Sequence, residues 1–325
     1  MKLTNVYGFL KKDLQDIEDR LSDIIDAEHP VLREASLQLL RAGGKRIRPV
    51  FVLLSAQFGD FEQNKEQVKT VAVALELIHM ATLVHDDVVD DASLRRGKPT
   101  VKKLYGDRVA MYTGDYMLAR ALEVITSIEN PSIHRLLSRT LVQVVEGEIA
   151  QIKDKYNLDQ TLRDYLRRIK RKTALLIATS CKLGAIAAGT TNKQANHLYR
   201  YGYNVGMSFQ IIDDILDFTA SSKELGKPTG SDLIQGNITL PIFYAINEKV
   251  FYTELQHLFL QGDTLNEQSI AGVLEQLKKT DAIEEAYKLS NLYLQKALYE
   301  MKKMPNSRAK RTLQVIASYI GKRRF

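Results

Sequence analysis

The chain has 325 residues, 45% of them hydrophobic and 26% charged, which is enough to bury a sizeable core and too apolar for a disordered chain. A net charge of +7 and a pI near 9.2 favour anionic partners, whether phosphates, nucleic acid or an acidic membrane surface. The single cysteine, Cys181, excludes an internal disulfide, so a reducing cytoplasmic setting is expected; charges from Lys11 onward argue against a signal peptide, and Glu76 and His79 within VAVALELIHMATLV argue against a membrane span.

Apolar residues recur every three or four positions from Val6 to Ile25, the pattern of an amphipathic helix. His29-Pro30 ends it, and Pro30 opens a second helix that runs to about Arg41 and stops at Gly43-Gly44. KRIRP follows, ahead of VFVLLSAQF. Lys45, Arg46 and Arg48 therefore crowd a helix start, where exposed backbone donors and side-chain charge both suit an anion. Glu66 to Asp91 reads as a long, mostly buried helix ending in HDDVVDDA. Asp86, Asp87 and Asp90 stand at i, i+1 and i+4, so three carboxylates converge on one side. Like charges this close, after an apolar lead-in, call for a cation.

In LRRGKPT, Gly97 and Pro99 break the helix while Arg95, Arg96 and Lys98 crowd its exit. Helix resumes from Val101 to Glu129, with a soft interruption at Gly114, and again from Pro131 through LVQVVEGEIAQIKDKY, where Glu148 and Gln151 project from one face. Leu158 to Gly189 is basic in its first half and apolar in its second. Gln194 to Ala220 carries a second cluster, Asp213, Asp214 and Asp217, with the same spacing and the same apolar lead-in. The stretch SSKELGKPTGSDLIQGNITLP reads as an ordered functional loop, and four or so helices fill the chain from Ile242 onward. Sustained β alternation is missing. The fold expected is all-α, roughly a dozen helices or more packed as one large bundle, a single domain over residues 1–325.

Each acid triplet is followed by the same four letters, GKPT, at Gly97–Thr100 and Gly226–Thr229, so helix, acids, break and lysine recur in one order. A lone DDxxD helix is more often a solvated face; two in matching contexts point to a two-sided metal site. Hard divalent cations take oxygen ligands, and Mg²⁺ binds through a few carboxylates together with substrate phosphate. No HxxxH or CxxC pattern competes for zinc, GGKR is not a Walker A loop, and no nucleic-acid module is present. Six aspartates amid Lys45, Arg46, Arg48, Arg95, Arg96, Lys172 and Lys227 thus describe a Mg²⁺–diphosphate clamp. The apolar lead-in with Leu75, Ile78, Ala81 and Thr82 implies that the rest of the substrate is hydrocarbon. His85 and His134 receive no role, and Tyr203 and Phe209 read as core.

The GGKRIRP corner, DDVVD with LRRGKPT, the Lys172-Thr173 pair, and FQIIDDILD followed by GKPTGSD together resemble the motif set of trans-prenyl diphosphate synthases, over Gly43 to Pro241. That resemblance implies a helical bundle of the isoprenoid synthase type with a central cavity. It also implies Mg²⁺-dependent condensation of isopentenyl diphosphate with an allylic diphosphate, such as farnesyl diphosphate, to a long all-trans product. Two or three Mg²⁺ ions would sit on Asp86, Asp87, Asp90, Asp213, Asp214 and Asp217, with Asp86, Asp90 and Asp213 as principal ligands and, with Lys172, the catalytic set. By the same resemblance Arg95, Lys172, Thr173, Gln210 and Lys227 hold the allylic diphosphate, and Lys45, Arg48, His79 and Arg96 hold isopentenyl diphosphate.

His79 lies close to two turns before Asp86 and can share its side of the helix. The family's chain-length positions fall on Ala81 and Thr82, where the absence of a large aromatic implies a long chain. The resemblance, nearest to the two-component members of the family, further implies a smaller partner subunit in a heterodimer and leaves room for peripheral membrane contact for product release; no nucleic acid and no transmembrane segment are expected. Two other readings stand beside this one. A terpene cyclase-like ionising synthase would use the same Mg²⁺ logic but has no need of the second basic corner. A non-catalytic regulatory subunit would have no use for six mutually repelling acids.

Overall fold

Residues 6–95, 97–221 and 228–322 are described by the computed structural model, and their regular structure is helical apart from one short hairpin. The chain sorts into two compact units: Met1–Ser138, Ala178–Tyr199 and Met301–Ile316 form the first, and Arg139–Ile177, Arg200–Glu300 and Ala317–Phe325 the second.

The first unit begins with α1 (Lys11–Ile24), α2 (Pro30–Arg41), α3 (Ile47–Ala56) and α4 (Lys65–Val89). The expected opening helix is preceded by a 3₁₀ turn at Gly8–Leu10. Helix α3 is apolar on every side and is buried from Pro49 to Ala56, as an all-round hydrophobic helix must be. Helix α4 has the length and hydropathy of a membrane span, yet 72% of its most apolar window is buried among α1, α3 and α6, which marks it as a core helix. Ion pairs line α1 up along it: Lys69 meets Asp16 at 2.6 Å and Asp13 at 3.3 Å, and Arg20 meets Glu66 at 2.7 Å.

Past α4, strands β1 (Leu94–Arg95) and β2 (Lys98–Pro99) pair antiparallel, with Arg95 opposite Lys98. Helices α5 (Val101–Tyr105) and α6 (Asp107–Thr126) follow. The sequence pointed to an interruption at Gly114; the break is instead at Gly106, whose φ of +83° suits a residue without a Cβ. Gly114 lies inside α6 for a packing reason. A Cβ there would come within 2.3 Å of His85 Nε2, a ring that also sits 3.2 Å from Asp115 Oδ1.

After α6 come α7 (Pro131–Asp154), α8 (Leu162–Ile169), α9 (Leu175–Ala187), α10 (Asn192–Thr219), the short α11 (Ser231–Ile234) and α12 (Leu240–Ala245), then α13 (Lys249–Phe259), α14 (Glu267–Leu277), α15 (Ala282–Lys302) and α16 (Arg308–Gly321). In the second unit Tyr165 and Ile169 of α8 pack on Met207, Ile211, Ile215 and Leu216 of α10, the stretch that carries the second acid cluster. The span Leu158 to Gly189, expected as continuous helix, starts at Leu162 behind a reciprocal Thr161–Asp164 cap and is interrupted by a π turn at Lys170–Ala174. Two glycines close on that turn. A Cβ on Gly147 of α7 would lie 2.6 Å from Arg171 Cβ, and one on Gly206 of α10 would lie 2.6 Å from Ala174 Cα. Single π turns inside α-helices concentrate at functional sites, and this one holds Lys172 and Thr173.

Candidate active site

In the first unit the corner GGKRIRP is shaped by two left-handed residues, Gly43 (φ +76°) and Arg46 (φ +44°). Arg46, counted with the cationic surround on sequence, is turned inward and buried. Its guanidinium donates to both carboxylate oxygens of Glu18 on α1, to Glu76 on α4 at 3.2 Å and to the Leu40 carbonyl at 3.0 Å. Lys45 and Arg48, on either side of this anchored residue, are exposed and half-buried. On α4, His79 is half-buried and Ala81 only 2% exposed, while the half-buried Thr82 donates its hydroxyl to the His79 carbonyl at 2.8 Å.

Asp86 and Asp90 are half-buried, whereas Asp87 is buried and accepts both Nε and Nη2 of Arg95 at 2.8 Å. Burial pushes the Asp87 carboxyl up, Arg95 opposes the rise, and Asp90 adds to it. The hairpin is thus what brings Arg95 back onto the acid helix. Thr100 closes the GKPT segment by donating to the Ala92 carbonyl at 2.7 Å and capping α5 through the Lys103 N–H. Arg96 lies outside the described residues, as do Gly226 and Lys227 of the second GKPT.

The second unit repeats the motif with different support. Asp213 is exposed, and Asp214 and Asp217 are buried. Asp214 accepts the Tyr165 hydroxyl on Oδ2 at 2.7 Å and the Gln210 amide N–H on Oδ1 at 2.8 Å, while Gln210 Oε1 accepts the Thr173 hydroxyl at 2.6 Å. Burial, then the neighbouring charge of Asp232, pushes the Asp214 carboxyl up to about 8; the hydrogen bonds from Tyr165 and Gln210 work against that rise and Asp213 adds to it. Asp217 accepts the Ser231 hydroxyl at 2.8 Å and the Asp232 N–H at 3.1 Å. Lys172 Nζ stands 3.0 Å from Gln151 Oε1 and 3.4 Å from Glu148 Oε2, so the α7 face singled out on sequence meets this lysine. Thr229 donates to the Ala220 carbonyl at 3.1 Å, the counterpart of Thr100 on Ala92. The final threonine of each GKPT therefore has the same structural task, tying the chain back to a carbonyl just past each acid cluster.

Among the described residues no three His, Cys, Asp or Glu side chains stand where they could hold an ion alone. Asp87, Asp214 and Asp217 are buried with oxygens held by protein donors, whereas Asp86 and Asp90 are half-buried and Asp213 is exposed. A sparse, hard-oxygen donor set of this kind fits Mg²⁺, which keeps its waters and completes its shell with substrate phosphate instead of a protein cage. Sequence reasoning missed Tyr165, Glu18, Glu76 and the π-turn glycines. Only the glycines, unusual in the middle of helical patterns, left a readable signal.

An all-α protein with two acid-rich helix motifs, each combining buried acids held by protein donors with more exposed ones, has the features of a diphosphate-handling enzyme of the isoprenoid synthase type. Comparison with known proteins gives the family. Residues 29–277 match the polyprenyl synthetase family. The heptaprenyl diphosphate synthase component 2 of Bacillus subtilis (strain 168) is 57% identical over 325 residues, 100% of this chain and 92% of that protein. The solved heptaprenyl diphosphate synthase from Staphylococcus aureus superposes with a TM-score of 0.91 at 42% identity, covering 99% of each chain. A polyprenyl synthase from Caulobacter crescentus CB15, complexed with calcium and isoprenyl diphosphate, gives 0.93 at 28% identity over 100% of this chain and 98% of that one. The chain belongs to the polyprenyl synthetase family, and the all-α fold and the elongating prenyltransferase activity expected from its sequence are both borne out.

Proposed function

We propose that the chain is the catalytic subunit of a two-component heptaprenyl diphosphate synthase, making the side chain of a quinone such as menaquinone in the cytoplasm. The observation that carries this reading is the end-to-end similarity to a component 2 protein, with all six motif aspartates present.

In this reading Asp86, Asp90 and Asp213 offer carboxylate oxygens to two or three Mg²⁺ ions, and Asp87, Asp214 and Asp217 keep the acid helices in place. Bound Mg²⁺ neutralises the allylic diphosphate and favours its departure. Arg95, Lys172, Thr173, Gln210 and Lys227 hold that diphosphate, with arginine and lysine donors stabilising the charge that builds on it. Lys45, Arg48, His79 and Arg96 hold isopentenyl diphosphate. The allylic C–O bond breaks with its electron pair leaving on the diphosphate. The isopentenyl π pair then forms the new C–C bond, and a proton is lost to a diphosphate oxygen, which restores an alkene. Ala81 and Thr82 line the path of the growing chain.

The proposed smaller partner has a surface to meet. Val142, Val145, Ile149 and Ile152 are exposed on α7 at three- and four-residue spacing, the seam pattern of a helix awaiting another helix. Product release involves a transient membrane contact. The test is to incubate the pure chain with farnesyl diphosphate, isopentenyl diphosphate and Mg²⁺, with and without a component 1 protein, and to size the products. A heptaprenyl chain that requires the partner is expected; no elongation under either condition would sink the reading.

A further inference from the structure

We infer that Tyr165 is a positioning residue for the Lys172-Thr173 turn, acting through Asp214 and Gln210, and that Asp214 serves this hydrogen-bond chain and not a metal ion. The inference rests on the proposed role of Thr173 in holding the allylic diphosphate.

The donor and acceptor inventory fixes the direction of the chain. Tyr165 and the Gln210 amide both donate to Asp214, one to each carboxylate oxygen, and Asp214 is 2% exposed. An acid with each oxygen already engaged and so little exposure is poorly placed to ligate an ion. With the Gln210 amide nitrogen turned toward Asp214, its carbonyl oxygen faces Thr173 and accepts the Thr173 hydroxyl. An incoming diphosphate accepts only, so it competes with Gln210 for that single hydrogen. Whether Thr173 is turned to offer it depends on where Gln210 is held, and Asp214 holds it.

Tyr165 sets the far end. Its ring is fully buried, with Phe243 tilted against it at 5.7 Å between centroids and the Arg168 guanidinium 5.7 Å from its centre. Arg168 is itself tied to Gln160 Oε1 at 2.9 Å and to the Ile238 carbonyl. The hydroxyl therefore has one aim. With no exposed surface, Tyr165 cannot touch substrate, so its effect on the reaction must travel through Asp214.

Tyr165→Phe removes only the hydroxyl. We expect KM for farnesyl diphosphate to rise roughly tenfold, the scale of one lost hydrogen bond to a charged group, with kcat and the KM for isopentenyl diphosphate little changed. A uniform fall in kcat and rise in both KM values, tracking a lower melting temperature, would show a merely structural role and overturn the inference. Asp214→Asn is the isosteric second variant, in case Tyr165→Phe does not fold. Calorimetric binding of farnesyl thiolodiphosphate in EDTA should be weakened by either substitution, because no metal is involved. If Asp214→Asn weakens binding only when Mg²⁺ is added, or raises the Mg²⁺ requirement of the reaction, Asp214 is a ligand and the inference fails. Absence of elongation by the unmodified chain would count against the proposed function alone, since the EDTA binding comparison does not require turnover.

Discussion

The acid helices α4 and α10 carry the same Asp-Asp-x-x-Asp spacing and a matching threonine tie, yet each steadies its middle acid by a different means. On α4 the partner of Asp87 is a full positive charge, Arg95, only eight residues along the chain and delivered by a hairpin. On α10 the partners of Asp214 are neutral: Gln210 one turn away and Tyr165 forty-nine residues away. A guanidinium compensates a buried carboxylate charge directly. At Asp214, burial and then the nearby charge of Asp232 push the carboxyl up to about 8, with the neutral hydroxyl and amide donors opposing the rise. Two copies of one motif can therefore shelter the same acid with different partners while a neighbouring acid stays more exposed.

The contrast between open and sheltered acids gives the largest expected effect. Asp86→Ala and Asp213→Ala should each lower kcat by about 10²–10³-fold, the scale of removing one preorganised charge-stabilising group. Asp87→Asn and Asp214→Asn should cost markedly less. Steady-state rates at saturating Mg²⁺ compare the four, and equal losses would erase the distinction. Next in size is Arg95→Met, which leaves Asp87 buried without its charged partner. We expect a loss of about 1–3 kcal/mol in urea unfolding, the penalty for an orphaned buried acceptor, together with a higher KM for the allylic substrate. An unfolding midpoint matching the parent protein would mean that the hairpin contact contributes nothing to the fold.

These differences mark where sequence reasoning stops. Helix placement was legible because apolar residues recur at helical spacing, and both acid triplets were visible because i, i+1, i+4 places them on one side whatever surrounds the helix. Which acid would be sheltered was not legible. Asp214 is buried by Tyr165, and nothing local to FQIIDDILD specifies a partner so far away. Arg46 read as one more cation in a basic corner, because its inward turn depends on Glu18 and Glu76 from two other helices. The π turn at Lys172 likewise needs Gly147 and Gly206 to admit it, and a helical pattern in one segment carries no trace of glycines in two others.

A smaller effect concerns the α4 side alone. Ala81 is fully packed, so Ala81→Phe has to displace its neighbours, at a cost of about 1–3 kcal/mol, or send the ring into the space of the growing chain. Shorter products by chromatography are expected. A destabilised protein with unchanged product lengths would separate this helix face from chain-length control.

The smallest effect tests how differently the two clusters hold their buried acids. In metal-free protein kept in EDTA, Asp214 has a carboxyl near 8 when folded and an ordinary one, 3.8, when unfolded. A group raised in this way binds its proton more tightly in the folded state. Its stabilisation is complete below about pH 4 and is lost as pH rises through about 8, with a slope of at most about 1.4 kcal/mol per pH unit in between. Asp214→Asn removes the proton linkage and keeps the shape. The stability of the parent relative to this variant should therefore fall steadily from about pH 5 to about pH 8 in urea titrations. Asp87→Asn should change that slope less, because Arg95 opposes the rise in its carboxyl. If the two asparagine variants gave the same pH slope, the guanidinium and the neutral donors would be equivalent supports, and the two halves of the motif would differ only in which residues surround them.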